Sequence, residues 1–117
     1  MKQAESPIAC NLGALNGAEQ HRRAELAHAI VTRAAATVET ADGFALQLDD
    51  DPALLRAAVD WIRLERACCP FLYFALSFDS EAGPLWLRLG GRAGVKEFLA
   101  AAGLAASHRL GATCGCA

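Results

Sequence analysis

The residues of this chain best equipped for chemistry are its thiols, and two of them are adjacent. In "LERACCPFLYF", residues 64–74, Cys68 and Cys69 stand where a helical pattern stops against Pro70. Alpha carbons joined by a trans peptide lie about 3.8 Å apart, closer than ordinary disulfide geometry allows, so a stable bond between these two is strained. Pro70 pushes Cys69 out of helical geometry, which places the pair at a helix C-terminus. The macrodipole there disfavours a thiolate, and Arg66 is the only cation nearby in sequence. A metal ion brings its own charge and displaces the thiol proton, so the position suits metal ligation better than nucleophilic attack.

Other ligand types surround that pair in sequence. Glu65 precedes it on the same helical side, with Trp61 one turn earlier, where a carboxylate could take a thiol proton, orient a ligand or pair with an arginine. The alternative is a half-exposed glutamate in a surface salt bridge. Cys10 lies in the N-terminal segment. Cys114 and Cys116 form a C-terminal "CGC" whose glycine lets both sulfurs turn toward one ion. Thiolates select soft ions, Cu(I) and Zn among them, with Hg(II) and As(III) in the same class. There is no pair of CxxC motifs and no spaced histidine pair, which argues against a structural zinc site. Buried reduced cysteine also serves as a small hydrophobe, and that reading stands beside the metal one. His21, Glu25 and His28 share a helix face crowded with Gln20, Arg22, Arg23 and Arg33, the pattern of a solvated polar surface. His108 could join the "CGC" thiols.

The elements that must position these groups follow from periodicity. "IACNLGAL", residues 8–15, alternates weakly and predicts a short edge strand. A helix is expected from Ala18 to about Ala36, with Asn16 as cap. Asp42 and Gly43 mark a hairpin between Val38 and the alternating Phe44, Leu46 and Leu48. Asp51 and Pro52 open a second helix that runs to the cysteine pair, with Leu55, Ala58, Ile62 and Glu65 at buried spacing. "FLYFALSF" and "LWLRL" alternate as strands around the turn "DSEAGP", and "GVKEFLAAAGL" ends the pattern as a short helix. The order β-α-β-β-α-β-β-α predicts an α+β fold, a mainly antiparallel sheet with helices packed on one face. Residues 1–103 form its single domain, and residues 104–117 a tail carrying the "CGC".

Composition narrows the function classes. The chain has 117 residues, a formal net charge of −2 and 54% apolar residues, enough for one packed core without staples. Its longest basic cluster is the pair Arg22 and Arg23, so the electrostatic footprint of a nucleic-acid binder is missing. Neither a signal peptide nor an apolar run of about 20 residues is present, which predicts a cytoplasmic protein without membrane association. In that compartment the five cysteines are expected to be mostly reduced and engaged in metal or redox chemistry.

At "ERACCPFLYFAL" and "GPLWLRLGGRAGVKEFLAA", and back to "IACNLGAL", the chain resembles a group of small, largely uncharacterised bacterial proteins with an E-R-x-C-C-P-F helix end, a hairpin and a GVKEF-type helix. The resemblance implies a link to heavy-metal resistance, mercury or arsenic, and points to Glu65, Cys68, Cys69 and Cys10; the "CGC" tail has no counterpart in that pattern. The expectation is therefore a soft-metal thiolate protein that uses Cys68 and Cys69, with a third sulfur from Cys10, Cys114 or Cys116, to hold Hg, As, Cu or Zn. Two alternatives accompany it. One is a thiol-dependent enzyme whose catalytic candidates are Cys68, Cys69 and Glu65, acting on a small thiol-reactive ligand, similar in outline to an organomercurial lyase or a disulfide-exchange protein. The other is a non-catalytic interaction module, a homodimer through a hairpin edge or the Trp86 face. The metal-binding and enzymatic versions both require the tail or the first strand to lie beside the end of the second helix, whereas in the interaction module the thiols are incidental.

Overall fold

A computed structural model describes residues 7–105. After a one-turn 3-10 helix at Leu12–Ala14, the elements are α1 (Gly17–Arg33), β1 (Ala36–Glu39), β2 (Gly43–Leu48), α2 (Pro52–Cys68), β3 (Tyr73–Phe78), β4 (Leu85–Gly90) and α3 (Val95–Ala101). The four strands form one antiparallel sheet in the order β1-β2-β4-β3. The α+β class is as expected.

One expected element is absent. Residues 8–15 do not add a strand to the sheet, so the order begins with a helical turn rather than β. The Asn11 side chain accepts the Gly13 N–H at 3.2 Å and caps the turn, which competes locally with extended pairing. Its backbone N–H donates instead to Cys68 O at 2.7 Å.

The helices begin where the sequence signals place them. Asn16 and Glu19 form a reciprocal capping box at 2.8 and 2.9 Å. Asp51 caps α2 through Leu54 N, and the Arg33 guanidinium at the end of α1 reaches the same carboxylate at 3.2 Å. That contact ties the exit of one helix to the entry of the next.

Alternation decides which sheet face is buried. Phe44, Leu46 and Leu48 of β2 lie opposite Leu89, Leu87 and Leu85 of β4. All six are at most 3% exposed, and with Ile30, Leu54, Ala58, Val95 and Leu99 they form the core beneath the helices. The opposite face carries Gln47, Ser77, Trp86 and Arg88. There the Trp86 N–H donates to Asp79 at 3.0 Å and the Arg88 guanidinium sits over its ring. Gly43 and Gly90 face each other across β2 and β4, where a Cβ on Gly43 would meet Leu89 O at 2.0 Å. The β2–β4 pairing needs glycine at that approach.

Candidate thiol site

The last turn of α2 positions the site. Glu65 and Cys68 are three residues apart and share the buried side of the helix, whose other buried residues are Leu54 and Ala58. Cys69 is the C-cap, with φ −129° and ψ 69°, and its N–H donates to Glu65 O at 2.6 Å before Pro70 turns the chain away. Leu72 N closes this turn onto Cys69 O at 3.1 Å. Cys68 and Cys69 are both fully buried, with Phe71 beside them in the core and packed edge-on against Phe98. Tyr73 is exposed, and its hydroxyl donates to Asp42 at 2.8 Å.

Cys10 arrives from the N-terminal segment. The Asn11 N–H satisfies the Cys68 carbonyl, one of the acceptors that a helix C-terminus leaves without an intrahelical partner, so a backbone bond holds the segment there independently of any thiol. Cys10 is joined to Cys69 as a disulfide, with alpha carbons 4.6 Å apart. The sequence predicts mostly reduced thiols, and among the described cysteines two are joined while Cys68 is free. Adjacent cysteines are poorly placed to pair with each other, but one of them can pair with a third that the fold delivers. Cys68 keeps a free thiol 3.5 Å from the Cys69 sulfur. The ligand atoms of Cys10, Glu65, Cys68 and Cys69 all lie within 4.8 Å of one another, a grouping of metal-binding dimensions among the described residues.

Glu65 is only 5% exposed at its side chain and is paired with Arg23 of α1, Nε to Oε2 at 2.8 Å. The Nε–H does not point along that line, so the contact is a charge pair rather than an aligned hydrogen bond. Burial pushes the Glu65 carboxyl above its ordinary value, against the opposing pull of the Arg23 charge. Burial likewise raises the Cys68 thiol, and the neighbouring Glu65 charge adds to the rise. Cys68 is thus a protonated, sheltered thiol in the absence of a metal, which disfavours it as a free nucleophile.

Arg23 is the member of the site that sequence reasoning missed, because it was grouped with the polar face of α1. The signal was present: Arg23 is three residues before Leu26 and seven before Ile30, on the buried stripe of that helix. His21 and Glu25 form an exposed pair at 3.3 Å, as a solvated face would. Cys114, Cys116 and His108 lie outside the described residues.

A cavity of about 360 Å³ opens beside the cluster, between the helices and the buried face of the sheet. Cys10, Arg23, Glu65, His28, Thr32 and Trp61 line it together with apolar residues of α1, the sheet and α3. Neither Cys68 nor Cys69 reaches its surface. Comparison with protein-family models, curated protein sequences and solved structures returns no match. No helix among the described residues is long and apolar enough to cross a membrane.

Proposed function

We propose that this protein binds a soft metal ion, Hg(II), As(III) or Cu(I), through Cys10, Cys68 and Cys69, and acts in the cytoplasm to sequester or hand over that ion. The observation that carries the reading is the convergence of three sulfurs and one carboxylate within 4.8 Å. Three thiolates with no histidine make a soft donor set, matched to these ions and poorly matched to Mg or Ca. A closed four-ligand zinc site fits less well, since the fourth protein ligand in the cluster is Glu65, which Arg23 already engages. The disulfide form is the closed state. Two equivalents of a cellular monothiol, or one dithiol, deliver two electrons and two protons and leave as a disulfide, while the Cys10–Cys69 bond breaks and two thiols are released beside Cys68. Metal binding then expels the thiol protons, while Glu65 and Arg23 hold the helix end in place. The resemblance to proteins associated with mercury and arsenic resistance points the same way, and the "CGC" thiols would serve as a second site for transfer.

The test uses the reduced full chain and a Cys114→Ser/Cys116→Ser variant, titrated with Hg(II), As(III) and Cu(I) and weighed by native mass spectrometry. The expected result is one ion per chain in both proteins, weakened at least tenfold by Cys10→Ser or Cys68→Ser. Binding that vanishes with the tail thiols and ignores Cys10 and Cys68 overturns the assignment.

A further inference from the structure

We propose that the ligand of this site is an organic derivative of a soft metal, a cation R–M⁺ whose hydrocarbon group R occupies the cavity beside Cys10; this rests on the metal reading above. A bare ion needs only the sulfurs. The fold provides more: an open space of about 360 Å³ that meets the thiol cluster at one end. A dry cavity of about 150 Å³ holds a benzene molecule, so this one has room for an aryl group or a short alkyl chain. Its walls suit such a group, with Ile30, Leu46, Leu89 and Leu99 contributing buried side chains and Ala27 and Val31 lying toward the mouth. Ligand sites of this kind pair a mostly apolar lining with a few placed polar groups, and here Cys10, Arg23 and Glu65 are joined by the exposed His28 and Thr32.

The arrangement also fixes the order of events. Cys68 and Cys69 are fully buried and off the cavity wall, whereas Cys10 is partly exposed and on it. Once the disulfide is reduced, Cys10 is the first sulfur that a ligand in the cavity meets. In the exchange, the Cys10 S–H bond and the M–X bond break, an S–M bond forms, and the proton leaves with X⁻, a halide or monothiolate. The metal then lies at the thiol cluster while R remains among the leucines. A bare ion forgoes the second contact, and so does a methyl derivative for the most part.

The experiment measures binding of Hg(II), methylmercury and phenylmercury to the reduced Cys114→Ser/Cys116→Ser chain, each in competition with the same monothiol so that intrinsic thiol affinities cancel. Phenylmercury is expected to exceed methylmercury by at least tenfold. Ala27→Phe, which fills the cavity, is expected to erase that preference while leaving Hg(II) affinity within about twofold. Magnetisation transfer from phenyl protons to the methyls of Leu46 and Leu89 in the unsubstituted pocket provides a readout that does not depend on how Ala27→Phe folds. Equal affinity for the two organic ions, or a phenyl group without contact to those leucines, overturns the cavity assignment while Hg(II) binding stands. Failure to bind Hg(II) at all overturns the metal reading and this inference together.

Discussion

At the scale of single residues, the buried pair Arg23 and Glu65 decides how the thiol site behaves. Removing one partner of a buried pair leaves the other charge without compensation, which costs more than replacing both. Arg23→Met is expected to destabilise the protein by about 3 kcal/mol at pH 8, while the double variant Arg23→Met/Glu65→Leu recovers most of the loss. The pH dependence has a definite sign. Glu65 already has a folded pKa above 4.5, and removing Arg23 raises it further. Its stabilising contribution is full below the unfolded value and is lost as pH rises through the folded one, so the penalty is smaller at pH 5 than at pH 8. Urea melts at the two pH values check both statements. Tyr73 offers a second test because it is the only tyrosine. Its hydroxyl donates to Asp42, and that bond, with smaller help from burial and the Asp42 charge, raises its pKa above 10. Titration followed at 295 nm should show a midpoint above 10 that Asp42→Ala lowers. The stability from this contact is present below about pH 10 and disappears as the pH rises through the folded Tyr73 value.

At the scale of elements, two details show where local chemistry and packing agree and where they conflict. The capping box at the start of α1 satisfies two backbone groups, and Asn16→Ala should cost about 1 kcal/mol in thermal or denaturant unfolding. The β3–β4 turn is less comfortable, since Glu81 and Ala82 adopt φ of 60° and 56° without being glycine. A left-handed conformation costs a residue with a Cβ roughly 1–2 kcal/mol. Ala82→Gly should therefore stabilise the protein by about 0.5–1 kcal/mol, part of the gain being lost to the greater freedom of glycine in the unfolded chain. An unchanged or lowered unfolding midpoint would show that the turn relaxes in solution.

Across the whole molecule, Cys10 and Cys69 are 59 residues apart in sequence, so their bond encloses α1, the first hairpin and α2. The chain-entropy account assigns a loop of that length about 4 kcal/mol of stabilisation. Reduction with a phosphine, or Cys10→Ser, is expected to lower the unfolding free energy by up to that amount. The fold should persist, because the Asn11 to Cys68 hydrogen bond and the buried Leu15 still anchor the segment. Addition of Hg(II) to the reduced chain at a hundredfold excess over its Kd should return about 2.7 kcal/mol. Stability that is indifferent to reduction would contradict the bond.

Much of the architecture was legible without a structure, because helix caps, turn dipeptides and apolar alternation act over a few residues. Asn16, Asp51 with Pro52, and Asp42 with Gly43 mark element starts and turns where they occur. The same local rules misread residues 8–15, where two-residue alternation resembled a strand although no strand edge receives it. The adjacency of Cys68 and Cys69, and the presence of Glu65 one turn before them, are equally facts of sequence. Only the tertiary structure decided that Cys10 is their partner, that Arg23 crosses from α1 to Glu65, and that a cavity lies against the cluster. The reason is physical: these features depend on how two helices and an N-terminal turn, far apart in sequence, pack on one sheet, and periodicity within an element carries no information about the distance between elements.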